Sequence, residues 1–469
     1  MQATREEIEA NLKSVMRWLT KGFWAISDQG LFAASNFVLS VLLARWLTPD
    51  DYGVFSTVFA VFILIGVLHT ATLSEPMLVF GSGKYKNRLS EYLGVLVYGH
   101  VVFAAMGSAI LLLASLAFAL IHSGSLATVL LTLALAEPFI LILWLMRRAC
   151  YARLEPHLAA SGGALYMLIM LAGCFVLYWG GWLSAAAAFG LMGISSAVVS
   201  LWLARRLGVK RTPLGRGGLV REAFEDHWAY GRWSTANEAL NWVPMNSYYL
   251  ILPFLSGLAA GAEFKALMNL IMPMLQAIWA LSILLLPTLV RARDEARAGE
   301  RASDAHARFS SRVRLSLAPF LLIPLLYWLL LGLFHRPVVA WLYDGRYVDH
   351  SALLWLLGLS PIIASAKQVL GQSLRALERP DRLFWAYVIS AVGTLTVGTA
   401  LVYVWGVAGA GMGFLVSQVL TAALALVFLQ RLTRSQFEAS RQGADVGHPS
   451  GERPPREEGL ARDEAEKLA

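Results

Sequence analysis

Apolar residues in this chain fall into long uninterrupted runs, and nearly all of the charge is collected in the short stretches between them. Runs of that length exceed the buried stripe of a soluble helix and read as membrane-spanning helices. Spans are predicted near residues 22–47, 53–80, 91–121, 125–147, 161–179, 182–204, 229–255, 261–289, 312–334, 351–374, 383–405 and 407–430. The fold class is therefore an all-α polytopic membrane protein of about twelve transmembrane helices. Ahead of the first span, Ile8, Leu12, Val15 and Leu19 stand at helical spacing, which predicts an interfacial N-terminal helix over 1–20. Glu6, Glu7 and Glu9 do not suit the basic start of a secretion signal. Residues 433–469 mix both charge signs with Gly and Pro and hold few apolar residues, as a disordered tail does.

The loops alternate in charge. One set carries Lys84, Lys86 and Arg88; Arg147, Arg148 and Arg153; a basic linker over 206–228; the run from Arg291 to Arg314; and Arg375, Arg379 and Arg382. The other set is short, with few cations: Thr48-Pro49-Asp50-Asp51, His122-Ser123-Gly124, Gly180-Gly181, the Gly257 region, 335–350 and Gly406. Cytoplasmic loops carry the excess of Lys and Arg, so both termini are expected in the cytoplasm. Composition agrees: 57% of the 469 residues are apolar and 15% charged, which excludes an ordinary soluble enzyme. The net charge of +8 resolves into one set of loops, leaving no patch for nucleic acid. Cys150 and Cys174 are the only cysteines, too few for a disulfide framework.

The two halves echo each other. Gly22-Phe-Trp24 with Asp28-Gln29 corresponds to Gly231-Arg-Trp233 with Asn237-Glu238, and Pro76-Met-Leu-Val79 to Pro287-Thr-Leu-Val290. The loops Leu154-Glu-Pro156 and Leu377-Glu-Arg-Pro380, and the turns before Phe55 and Phe264, match as well. These echoes predict two six-helix lobes, 21–205 and 229–432, related by a parallel repeat about a central cavity. Rocking two such lobes exposes the cavity to each side in turn, which favours a transporter.

Asp28-Gln-Gly-Leu-Phe32 through Asn36, then Leu43-Ala-Arg-Trp-Leu-Thr-Pro-Asp-Asp-Tyr-Gly-Val-Phe55, resemble the opening of Wzx-type polysaccharide-unit flippases. Leu374-Arg-Ala-Leu-Glu378 is a softer second match, and the resemblance covers about residues 15–432. These flippases belong to the multidrug/oligosaccharidyl-lipid/polysaccharide (MOP) exporter superfamily. The resemblance implies movement of undecaprenyl-diphosphate-linked oligosaccharides to the periplasmic leaflet by alternating access, for surface or exopolysaccharide biosynthesis. It also implies work beside a polysaccharide polymerase and a chain-length regulator, and leaves H+ or Na+ open as coupling ion. The lipid II branch usually has fourteen spans, against the twelve read here.

A charge at membrane depth is a functional candidate by default. Asp28 and Glu238 stand at repeat-related positions, and Glu137 precedes a proline, Pro138. Each suits a cavity or coupling acid, and each also suits a helix-packing contact. The seventh span is unusually polar, with Asn237 and Asn241 on one face beside Glu238, so that face is expected to line the cavity with Asn36, Asn269 and Gln276. For a diphosphate headgroup the candidates are Lys367, Arg232, Arg147 and Arg148, with ordinary positive-inside anchoring as the competing reading of the three arginines. His69 and His100 titrate in the right range for coupling, although a lone helical His is more often packed.

No phosphate loop, metal-ligand pair or nucleophile elbow appears, so no catalytic residue, metal or cofactor is expected; Gly409-Ala-Gly-Met-Gly413 opens an apolar span and reads as close helix packing. Two rivals remain. A cation-coupled drug or metabolite antiporter shares the fold and would have a small apolar cavity. A membrane polymerase or ligase needs a large outer loop, and the longest here, 335–350, is short.

Overall fold

The computed structural model of the chain describes residues 2–121, 124–210, 217–282, 285–297, 302–377 and 379–445. Every regular element among the described residues is helical. The first span is the outer half of one unbroken helix, Gln2–Trp46, so the N-terminal segment runs into it without a bend. The second, Pro49–His69, starts where Thr48 accepts the Asp51 amide at 3.2 Å, with proline in its first turn and Asp50 and Asp51 at the positive end of its dipole. It continues through a π-helical turn, Thr70–Ser74, into Glu75–Ser82. Leu89–Leu120, Gly124–Ala152, Pro156–Trp179 and Ala185–Arg206 complete the first six.

Among the described residues, ten helical segments are long and apolar enough to cross a membrane, against the twelve predicted. Two spans explain the difference. The last segment, Asp381–Thr433, is 53 residues long and bends at Gly406, whose φ of 53° breaks the helix, so it holds both final spans. The seventh span is built from Gly217–Asn246 and Tyr248–Ser256, and its polar residues keep it below the hydropathy of a simple lipid-facing helix. The third and ninth spans, by contrast, are mostly exposed and apolar, as lipid-facing helices are.

Internal prolines leave carbonyls that find side-chain partners. Pro76 has no N–H for the Thr72 carbonyl, and His227 Nδ1 approaches that oxygen at 2.9 Å instead. Pro138 likewise frees the Ala134 carbonyl, which accepts Ser108 Oγ at 2.8 Å. The segment 217–227, assigned by composition to the linker, is the start of the seventh span's helix and is clamped to the first lobe. The last helix continues to Asp445, so the tail is helical that far; 446–469 lie outside the described residues, as do Gly215 and Arg216 of Gly215-Arg-Gly-Gly218.

The first and second spans meet the seventh and eighth, the corresponding members of the repeat. On the face opposite the basic loops, Ser40 donates to Asn269 at 2.9 Å and Asn269 donates to Tyr52 at 2.9 Å. Arg346 donates to the Leu47 carbonyl, and Arg45 pairs with Asp344 at 3.5 Å. Gly53 touches the backbone of Leu258, where a Cβ would lie 2.1 Å from the carbonyl oxygen. Gly53→Ala should therefore force these two spans apart at a cost of about 1–3 kcal/mol, read as a lower thermal midpoint in detergent. An unchanged midpoint would mean that this approach is not made.

On the basic face a latch ties the seventh span to the first lobe. Lys84 pairs with Asp226 at 2.8 Å and with Glu222 at 2.9 Å, and Tyr85 donates to Asp226 at 2.7 Å. Tyr92 and His227 are 2.5 Å apart. Partial burial works against charge on Asp226, but the hydrogen bonds from Lys84 and Tyr85 outweigh it and hold the acid below its ordinary value. An acid depressed in the folded state stabilises above its unfolded pKa of about 3.9 and loses that contribution as pH falls through the folded value. Thermal midpoint should thus fall below about pH 4, and Asp226→Asn should flatten that limb. An identical acid limb in the variant would assign it to other carboxylates.

Candidate functional site

Between the four interface spans lies a chamber of about 520 Å³. Asn36, Asn241, Asn246, Asn269, Gln276 and Gln368 supply amides to its wall, and Phe37, Phe59, Trp242, Tyr249 and Trp279 supply rings. A vestibule of about 310 Å³ adjoins it and shares Val67 and Glu238 with it. The vestibule is charged: Asp28, Glu75, Arg147, Arg148 and Glu238 line it with Tyr151 and Trp144. Gln29 and Arg148 in its wall are exposed, so it opens to solvent, whereas Ser40, Asn269 and Tyr52 close the chamber toward the other face.

The vestibule is organised around Asp28. Its Oδ1 accepts Arg147 Nη2 at 2.8 Å and Nε at 3.3 Å, and its Oδ2 accepts Tyr151 at 2.6 Å and Gln29 at 3.3 Å. The Arg147 guanidinium is also stacked 3.8 Å above the Phe32 ring. Asp28 is fully buried and Arg147 nearly so. Two residues predicted for different tasks thus satisfy each other. Arg148, one step round the helix, lines the vestibule in the field of Glu75 and Asp28 and makes no ion pair within 4 Å with a described residue. Across from it Glu75 accepts Ser234 Oγ at 2.6 Å.

Four predicted residues lie outside both spaces. The seventh span's wall is formed by Glu238, Asn241, Trp242, Met245, Asn246 and Tyr249, a face rotated by about one residue from the expected one. Asn237 is therefore turned off the wall. Lys367 is buried inside the second lobe and donates to Gln418 at 2.6 Å, and its neighbour Gln368 lines the chamber instead. Arg232 is exposed and sits over Trp233, consistent with anchoring. Glu137 packs between the third and fourth spans, 3.4 Å from Ser108 Oγ and against Gly107. His69 and His100 are buried in the same lobe, 3.1 Å apart. Asp28, Asn36, Glu238, Asn241, Asn269, Gln276, Arg147 and Arg148 do come together.

The chamber also holds a cation that sequence reasoning missed. Lys265 is 9% exposed, with its ammonium 4.9 Å from the Phe59 ring centre and 5.3 Å from that of Tyr249. No described carboxylate pairs with it. The available signal was its position four residues inside the predicted eighth span, which resembles ordinary end anchoring.

No family model and no curated protein matches the chain. Solved structures do. An inward-facing multidrug resistance MATE family transporter of the MOP superfamily aligns with TM-score 0.73 and 14% identity, covering 88% of this chain and 99% of that one. The lipid II flippase MurJ, in an inward closed conformation, aligns with TM-score 0.66 and 12% identity, covering 88% and 87%. A MOP superfamily transporter from Pyrococcus furiosus gives 0.62 and 15%, covering 91% and 96%. The protein is a multi-pass membrane protein with the fold of MOP superfamily transporters and flippases.

Proposed function

We propose that this protein is a Wzx-type flippase of the bacterial inner membrane, carrying undecaprenyl-diphosphate-linked oligosaccharide units to the periplasmic leaflet by alternating access. The observation that carries this reading is the chamber wall, which combines amides, rings and an unpaired cation. Amides both donate to and accept from sugar hydroxyls, and rings offer flat surfaces to the apolar faces of sugars. The diphosphate would meet Arg148 in the vestibule and Lys265 in the chamber, while the polyprenyl chain stays in lipid. In this reading the basic loops face the cytoplasm, both termini are cytoplasmic, and the vestibule is the entry side. A drug antiporter of the same fold would have less use for six wall amides. Coupling to H+ or Na+ and a polymerase partner belong to the same proposal.

Binding separates the two readings. Native mass spectrometry of the protein with undecaprenyl-diphosphate-linked trisaccharide should show one retained glycolipid, and a hundredfold excess of ethidium (an order-of-magnitude choice) should not displace it. Retention of ethidium with no retention of the glycolipid would overturn the flippase in favour of the antiporter.

A further inference from the structure

A second basic site lies away from the central chamber. The loop after the second span, the loop after the fourth and the end of the sixth enclose a surface cavity of about 310 Å³. Lys86, Arg88, Arg153 and Lys210 line it, against a single carboxylate, Glu91. Arg153 is held in place: it donates to the Leu207 carbonyl at 3.0 Å and pairs with Glu155 at 3.3 Å. Lys86, Arg88 and Lys210 are exposed and pair with no described carboxylate. Three unpaired cations from two segments, Lys86 and Arg88 on one loop and Lys210 on another, face one concavity and repel one another, and an anion relieves that repulsion.

Position says which anion. The cavity sits where the third span begins, at Leu89 and Ser90. Past a buried stretch over 92–96, about 17 Å further along, that span carries exposed apolar residues: Val101 at 56% exposure, Val102 at 62% and Met106 at 64%. A phosphate held by the three cations would therefore have its acyl chains laid against a lipid-facing helix. We infer that this cavity is a structural binding site for the phosphate of an anionic glycerophospholipid, separate from the path of the transported molecule. The shared chemistry is a phosphate group; the exposed apolar residues favour its lipid-borne form over a free ion.

The test uses the full-length protein in detergent, titrated with phosphatidylglycerol, phosphatidylcholine or inorganic phosphate and read by native mass spectrometry. Phosphatidylglycerol should be retained in preference to phosphatidylcholine, and inorganic phosphate should not compete with it. Lys86→Ala, Arg88→Ala and Lys210→Ala combined should weaken retention by roughly fivefold per cation, on the order of a hundredfold together. The control removes three other exposed arginines, Arg221, Arg312 and Arg314, and should retain the lipid as the wild type does. Equal loss in the control would reduce the effect to net charge and overturn the site. Equal retention of the two lipids, or wild-type retention by the triple variant, would overturn it too. Full competition by inorganic phosphate would assign the cavity to a free ion and defeat the lipid-borne reading.

Discussion

Lys265→Met is expected to abolish transport while leaving the protein at least as stable as before. The ammonium is buried between Phe59 and Tyr249 with no described anion beside it. Two ring faces return only about 0.5–2 kcal/mol, less than the several kcal/mol that a buried ion forfeits in hydration. Met keeps the length and packing of the stem and removes the uncompensated charge, so the thermal midpoint should hold or rise. Function should move the other way. A charge-assisted contact to phosphate is worth about 1.5–3 kcal/mol, which is roughly ten- to a hundredfold or more in affinity. Lys265→Arg should restore part of it. Wild-type transport in Lys265→Met would remove the residue from the substrate path, and a marked loss of stability would make it a packing residue.

The second large effect is the opposite kind. Asp28→Ala should destabilise the first lobe by about 3–5 kcal/mol, because it strands the Arg147 guanidinium beside Phe32 without its carboxylate. Arg147→Met should do the same to Asp28. Combining Asp28→Ala with Arg147→Met should recover much of the loss, since removing a buried pair together is far cheaper than breaking it. Thermal midpoints of the four proteins in a double-mutant cycle measure this. Additive losses would show that the two side chains do not act as a pair.

The same contrast explains what was legible in the sequence. Spans and loops follow from hydropathy, and the polar seventh span announces its own role. Helical phase is harder to read. Asn237 and Glu238 differ by about 100° around the axis, both are polar, and it is Glu238 that shares the chamber face with Trp242 and Met245. The same one-residue step exchanges Lys367 for Gln368. Pairing was not legible at all: Asp28 and Arg147 are 119 residues apart, and only the approach of the first span to the fourth joins them. Lys265 was hidden because the helix begins at Leu258, earlier than hydropathy suggests, which places a lysine that looks terminal well inside the closed end of the chamber. Pro76 and Pro138 were readable as sites of freed carbonyls, but not the partners, His227 and Ser108, that take them.

The central claim is that this chamber passes a lipid-linked glycan from one leaflet to the other. The most direct measurement reconstitutes the protein in liposomes carrying a fluorescent undecaprenyl-diphosphate oligosaccharide in both leaflets, then adds a membrane-impermeant quencher. Wild-type protein should make the protected inner-leaflet pool accessible, bringing quenching from about half to nearly complete, and Lys265→Met should leave it near half. Quenching that stays at half with folded wild-type protein, or that proceeds equally in Lys265→Met, would contradict the account.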